Sequence, residues 1–194
     1  MIGKVLSYLR DRLDEHLRAS FPNGSDPAGD KAVFVDGDRM EPLVFKPEAV
    51  SILLINLEEE RQTRAANPYL RIDDDNRPHR VQPDIPLMLS VLFVARFKQY
   101  DAAWDHLTAV LSFFQKHAAI EAGSPGLPDA VDKLVFDLVT LKFGEQNEVW
   151  NALRATHHPS LLYRVKLVVL RDTQPALSTR VVLPIVINSK QLSR

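Results

Sequence analysis

Hydrophobic positions change period within one stretch of the chain. From Ile85 to Phe97 they recur every second residue, so Ile85, Leu87, Leu89, Val91, Phe93, Ala95 and Phe97 share one face of an extended strand. The opposite face carries Met88, Ser90, Leu92 and Val94 and is largely apolar too. A strand apolar on both sides belongs inside a sheet that is covered on both faces. From Tyr100 to His117 the spacing becomes helical, with a stripe of Ala103, Leu107, Val110, Leu111 and Phe114 widened by Trp104 and Phe113. Asp101 is the expected N-cap. Pro83 and Pro86 lack the amide hydrogen that a ladder requires, so regular strand pairing is expected only after Pro86.

The remaining segments fit around this strand and helix. Residues 2–19 read as an amphipathic helix, with Ile2, Val5, Leu6, Leu9, Leu13 and Leu17 three to four apart. Residues 32–36 are a short strand closed by the Asp36-Gly37 turn, and 49–57 are a second internal strand. A short extended piece at 67–72 leads into a polar loop at 73–80. Residues 131–143 alternate as a strand, 145–155 read as a helix, and His157-His158-Pro159 ends it. In the strand at 161–170, Leu161, Tyr163, Val165, Leu167 and Val169 face one way and Arg164 and Lys166 the other. A last strand at 180–187 carries Pro184, the mark of an edge or bulge, and 188–194 form a polar tail. The order predicts an α/β (α+β) fold in a single domain over 1–194, with a mixed sheet of about five to six strands flanked by helices.

Charge narrows the function classes. Lys and Arg number 24 against 25 Asp and Glu, a net charge of -1. Bulk electrostatic binding of nucleic acid needs a basic excess to displace counterions, so it is not expected. With no cysteine, disulfides and thiolate metal sites are impossible. Charges at Arg10, Asp11, Arg12, Asp14 and Glu15 interrupt any signal-peptide core, and no run reaches the ~18 apolar residues of a membrane helix. The expectation is a soluble protein used without export through the secretory route.

Candidate chemistry is sparse. Asp73-Asp74-Asp75 lacks the glycine and distant glutamate of a calcium loop, and Arg71, Arg77 and Arg80 offset its charge, so it reads as a solvated loop. His157 and His158 are adjacent, whereas zinc helices place two histidines four apart on one face. His79, His106 and His117 have no partner at ligand spacing. Neither phosphate-binding glycine loop is present, nor the G-x-S-x-G of a serine hydrolase. No catalytic, cofactor-binding or metal residue is therefore assigned. A hydrolase remains open only as a triad assembled from distant residues, with His106 or His158 as base. The most unusual polar cluster is Glu58-Glu59-Glu60-Arg61 with Arg64, at the exit of an internal strand. It reads either as a solvated strand end or as charges that pair across a subunit boundary. Arg71, Arg77 and Arg80 are the second choice for such contacts.

Several of these pieces recur in one order. The N-terminal amphipathic helix is followed by Ile55-Asn-Leu-Glu-Glu-Glu-Arg61 with Arg64 and Asn67, then Pro83-Asp-Ile-Pro-Leu-Met-Leu89. Next come Tyr100-Asp-Ala-Ala-Trp-Asp-His-Leu107 and Leu111-Ser-Phe-Phe-Gln-Lys-His117, and finally Trp150-Asn-Ala-Leu153 and Pro159-Ser-Leu-Leu-Tyr-Arg-Val165. Over residues 2–170 the chain resembles the cap, or tail-terminator, family of phage-tail-like contractile injection systems, the antifeeding-prophage and virulence-cassette type of particle. One departure is the strand start Leu87–Phe93, which lacks the family's aromatic-rich opening. The resemblance implies structural work, not catalysis. It implies a six-fold ring on the distal end of the inner tube and sheath that stops polymerisation, assembled in the bacterial cytoplasm. The implied partners are further copies of the chain and the tube and sheath proteins, with no nucleic acid, membrane or cofactor. The alternative is a monomeric adaptor or assembly chaperone of such a particle.

Overall fold

The computed structural model describes residues 1–22, 29–37, 43–60, 70–72, 78–80 and 86–167. Its central strand is β5 (Leu87–Arg96), which begins directly after Pro86 as the missing amide hydrogens predict. Around it lie β1 (Ala32–Phe34), β2 (Ala49–Glu59), β6 (Ala119–Glu121), β7 (Lys133–Val139) and β8 (Ser160–Leu167), in the order β1-β2-β5-β8-β7-β6. Among the described residues β1 and β2 pair in parallel and the other pairs of this sheet are antiparallel. The expected mixed α/β sheet is present, with six strands among the described residues.

Both faces of β5 are covered. Leu89, Val91, Phe93 and Ala95 point into a core shared with α1 (Ile2–Ser20) and α2 (Tyr100–Lys116). Leu92 and Val94 point the other way, towards Leu43, Phe45 and Trp150 of α3 (Phe143–Ala152). Helix α1 buries Val5, Leu9, Leu13 and Leu17, a row of four-spaced side chains, with Tyr8 beside it. The apolar run of β2 contains one irregularity: pairing steps from Leu54 with Val91 to Asn56 with Ser90, leaving Ile55 as an extra residue.

Four expectations need correction. Asp101 does not cap α2; Gln99 is the N-cap, in an extended conformation, and Asp101 sits in the first turn, accepting the Ala102 amide at 3.0 Å. Trp104 does not widen the buried stripe. The stripe broadens on the opposite flank, towards His106 and Phe113, because Phe21 and Phe97 close over that side. Strand β7 stops at Val139 rather than running to 143, because α3 starts at Phe143, where Glu145 Oε2 reaches back to accept the Lys142 amide at 2.8 Å. Helix α3 also ends early. The Ala155 amide reaches Trp150 O and the Arg154 amide reaches Asn151 O, a Schellman closure with Arg154 at φ 51°.

Two short strand pairs escaped the periodicity argument. The first is β3 (Leu70–Ile72) with β4 (Pro78–Arg80), an antiparallel pair where the sequence suggests an extended piece and then a loop. The second is β6 against β7. Three residues are too few for alternation to register. Residues 168–170, 180–187 and 188–194 and the run Asp73–Asp75 lie outside the described residues.

Candidate interaction surface

The sheet register gives the molecule two distinct ends. At one end β5 and β7 finish and α2 and α3 begin. At the other, β2 reaches Glu59, β5 starts at Leu87 and β8 reaches Leu167, since Glu59 pairs with Leu87 and Leu87 with Leu167.

The glutamate cluster lies at this second end. Glu58 pairs with Met88 and Glu59 with Leu87, so period 2 sends their side chains to opposite faces. Asn56 Nδ2 donates to Glu58 Oε1 at 2.6 Å. Glu60 is only 8% exposed, and its amide donates to Pro86 O at 2.8 Å. The three glutamates thus do not form one patch. Arg71 and Arg80 lie in the β3–β4 pair, opposite His79 and Leu70 respectively, on the connection that leaves this end. Arg61, Arg64 and Arg77 lie outside the described residues.

One face of the sheet near this end is charged. Residues Met88 and Ser90 of β5, Arg164 and Lys166 of β8, and Lys133, Val135 and Asp137 of β7 share it by register. Lys166 Nζ stands 3.4 Å from Asp137 Oδ2, and Lys133 Nζ 2.8 Å from Glu121 Oε1. Arg164 and Lys166 face away from the main core, as the alternation of 161–170 predicts. These exposed pairs contribute little to stability, but they give the face a fixed pattern of charge.

Large apolar side chains reach solvent at the first end. Tyr100 is 72% exposed, Trp104 43% and Phe143 88%. Tyr100 and Trp104 pack edge to face at 6.1 Å on the first turns of α2, and Asp101 and Asp105 lie beside them. An aromatic pair left this open to solvent is a candidate contact surface. The signal was present in the sequence as Tyr100-Asp-Ala-Ala-Trp-Asp. The apolar-stripe rule concealed it by counting Trp104 as core. At the other end of α1, an open groove of about 830 Å³ lies between Met1–Arg12 and the loop Pro125–Ala130.

His106 and His158 serve packing. The His106 ring is stacked between Phe21 at 3.9 Å and Phe97 at 4.1 Å, and its Nδ1–H donates to Ala102 O at 2.8 Å. His158 sits edge-on to Phe45 and Trp150, with Thr156 Oγ1 3.3 Å from its Nε2. Among the described residues no three His, Asp or Glu side chains gather as a metal site, and no helix is long and apolar enough to cross a membrane.

Burial holds the pKa of His106 below the ordinary histidine value; Lys31 adds to the effect, while the Ala102 carbonyl, Asp105 and Glu48 oppose it. Burial also lowers His16 and His158. In each case the unfolded chain binds the proton more readily. The stabilisation is therefore complete above the unfolded value of 6.5 and is lost as pH falls through the lower folded values. Melting temperature is expected to fall between about pH 7.5 and about pH 5, a window set by these shifts. His106→Phe, which keeps the stack, should flatten the fall; an unchanged slope would remove His106 from the account.

Comparison with known proteins places this fold. No curated protein matches the chain. Among solved structures it is similar to the sheath/tube terminator, in the extended state, of the extracellular contractile injection system PVC, with a TM-score of 0.60 and 20% identity. That match covers 100% of this chain and 64% of the other. It is also similar to the tube terminating cap of the anti-feeding prophage, with a TM-score of 0.56, 16% identity, and coverage of 96% and 59%. The chain thus spans less than two thirds of the length of either solved relative. Its sequence matches the Pvc16 N-terminal domain over residues 4–183, and the chain belongs to that family.

Proposed function

We propose that this chain is a structural tail terminator, a ring-forming cap on the distal end of the tube and sheath of a contractile injection particle that stops their polymerisation. The observation that supports it most is a fold shared along essentially the whole chain with two proteins that terminate such assemblies, within a family match over 4–183. In this reading the chain acts as a single domain without catalytic activity. It assembles in the bacterial cytoplasm and becomes part of the extracellular particle. Its partners are further copies, in a six-fold ring, and the tube and sheath subunits. Contacts are proposed for Glu58, Glu59 and Glu60, with Arg61 and Arg64, and for Arg71, Arg77 and Arg80. A ring needs a heterologous contact whose rotation closes, and charged groups at sheet ends suit the fixing of its register.

The test is assembly of tube and sheath with and without the protein. Gold-labelled protein is expected at one end of each particle, and omission should give tubes and sheaths of uncontrolled length. Light scattering on the isolated protein is expected to give a mass near six times 21.9 kDa. Label along the sides, or normal particle lengths without the protein, would overturn the reading. Transient binding during assembly and absence from finished particles would favour an assembly chaperone.

A further inference from the structure

We infer that the acidic aromatic knob at the start of α2 docks into the groove beside the N-terminal half of α1 on a second copy of this chain. The inference rests on the ring-forming reading and names the surfaces that would build the ring.

The knob is Tyr100 and Trp104, exposed and mutually packed at 6.1 Å, with Asp101 and Asp105 interleaved one residue on. Asp101 accepts its neighbour's amide; Asp105 has no hydrogen bond or ion pair among the described residues. The groove has a floor of Tyr8, Leu127 and Ala130, all buried. Gly126, at φ 85°, brings the loop backbone against the Tyr8 ring, where an added Cβ would lie 3.5 Å from Cδ2. An indole side chain fits within the groove's volume of about 830 Å³.

The rims complete the match. Asp11 is bound by Arg10 at 2.6 Å, and Arg12 is bound to Glu15 at 3.0 Å, which leaves Lys4, among the described residues, as the side-chain cation of the helix wall with no ion pair. Lys4 lies in the first turn of α1, which carries no acidic residue, so the positive end of that helix adds to its charge. This wall suits the Asp101 and Asp105 carboxylates. The loop wall offers Asp129, an acceptor for the Tyr100 hydroxyl. An aromatic anchor seated in an apolar pocket, here with one cation facing the knob's carboxylates, is the usual construction of an interface hot spot.

Placement makes the contact heterologous. Helices α1 and α2 are antiparallel, since Phe21 meets His106 while His16 meets Phe113. The knob therefore lies at the α1 C-terminal end of the two-helix layer and the groove at its N-terminal end. Each copy offers its knob to one neighbour and its groove to the next, the arrangement that generates rings.

The chain has no cysteine, so a single probe can be placed cleanly. Ser7→Cys in the groove is labelled with a benzophenone maleimide in the full-length protein. It is then mixed with isotope-labelled wild type and assembled on tube ends, irradiated and digested with trypsin. The expected adduct joins the probe to the labelled peptide 99–116, which contains Tyr100 and Trp104. Trp104→Ala in the labelled partner should lower its yield about tenfold, the effect of one hot-spot residue. Lys4→Glu should weaken it, and Asp105→Lys in the partner should restore it. Capture of a tube or sheath peptide instead, or of no peptide while light scattering shows rings, overturns the inference and leaves the ring reading intact. A protein that stays monomeric both alone and on tube ends overturns both.

Discussion

Phe93→Ala is expected to lower stability by about 4 kcal/mol, the largest loss from any single substitution considered. Phe93 is fully buried at the centre of β5, paired in register with Ile52 on one side and Leu161 on the other. Its ring lies 5.3 Å from Phe114 of α2 and 5.9 Å from Tyr163 of β8, edge to face with the latter. Phe114 in turn packs on Tyr163 at 4.3 Å and Phe136 at 4.9 Å. One aromatic cluster thus joins β5, β7 and β8 to α2, and Phe93 is its innermost member. Truncation removes the transfer energy of the ring, the two aromatic contacts and the support of a site that close-packed neighbours cannot refill. For a domain of this size the melting temperature should fall by roughly 12 °C. Phe93→Leu should cost about a third as much, because it keeps most of the volume. Denaturant titration at fixed slope measures both. A loss below about 1.5 kcal/mol for the alanine variant would mean that the cavity collapses and that the cluster is not the keystone.

The same cluster shows why the core was legible in the sequence. Phe93 and Tyr163 were assigned to the correct faces because strand period is locally fixed: once Leu89 is inside, Val91 and Phe93 must be. Pro86 located the start of β5 by an equally local rule. What escaped was set by distant parts of the chain. Whether Trp104 or His106 flanks the buried stripe of α2 depends on where Phe21 and Phe97 lie, and no window of α2 contains that information. Arg154 adopts a positive φ without being glycine, so the end of α3 carried no breaker signal. At the candidate surface the split has a different cause. Residue types alone singled out Glu58, Glu59 and Glu60, but alternation and the Pro86 carbonyl turn them in different directions. The Tyr100–Trp104 pair was visible as residues but not as surface, since hydrophobicity alone cannot separate an interface anchor from a core residue.

Asp14 is the clearest case of a residue whose importance lies wholly in tertiary contacts. On sequence it is one of several charges on the polar side of α1. In the fold its Oδ1 accepts the amides of Lys31 at 2.6 Å and Ala32 at 2.9 Å, and its Oδ2 accepts Arg18 Nε at 2.6 Å. The two amides open β1, so the carboxylate fixes α1 to the sheet edge at the point where β1 begins its parallel pairing with β2. The Lys31 carbonyl in turn accepts the Val50 amide at 2.7 Å, which continues the ladder from the residue that Asp14 holds. Asp14→Ala would leave two partly buried donors without an acceptor, and hydrogen bonds to a charged group are the stronger kind. The expected loss is about 3 kcal/mol by that reasoning. Asp14→Asn retains one oxygen for the amides and should lose less than half of that. Arg18→Ala, which removes its ion pairs with Asp14 and Asp30 but leaves both amides their acceptor, should change the melting curve far less. Hydrogen exchange separates this account from a general weakening of the fold. The amides of Lys31, Ala32 and Val50 should lose protection in Asp14→Ala before those of β5 and β8 do. Equal loss across the sheet would place the effect of Asp14 in helix α1 itself rather than in its hold on β1.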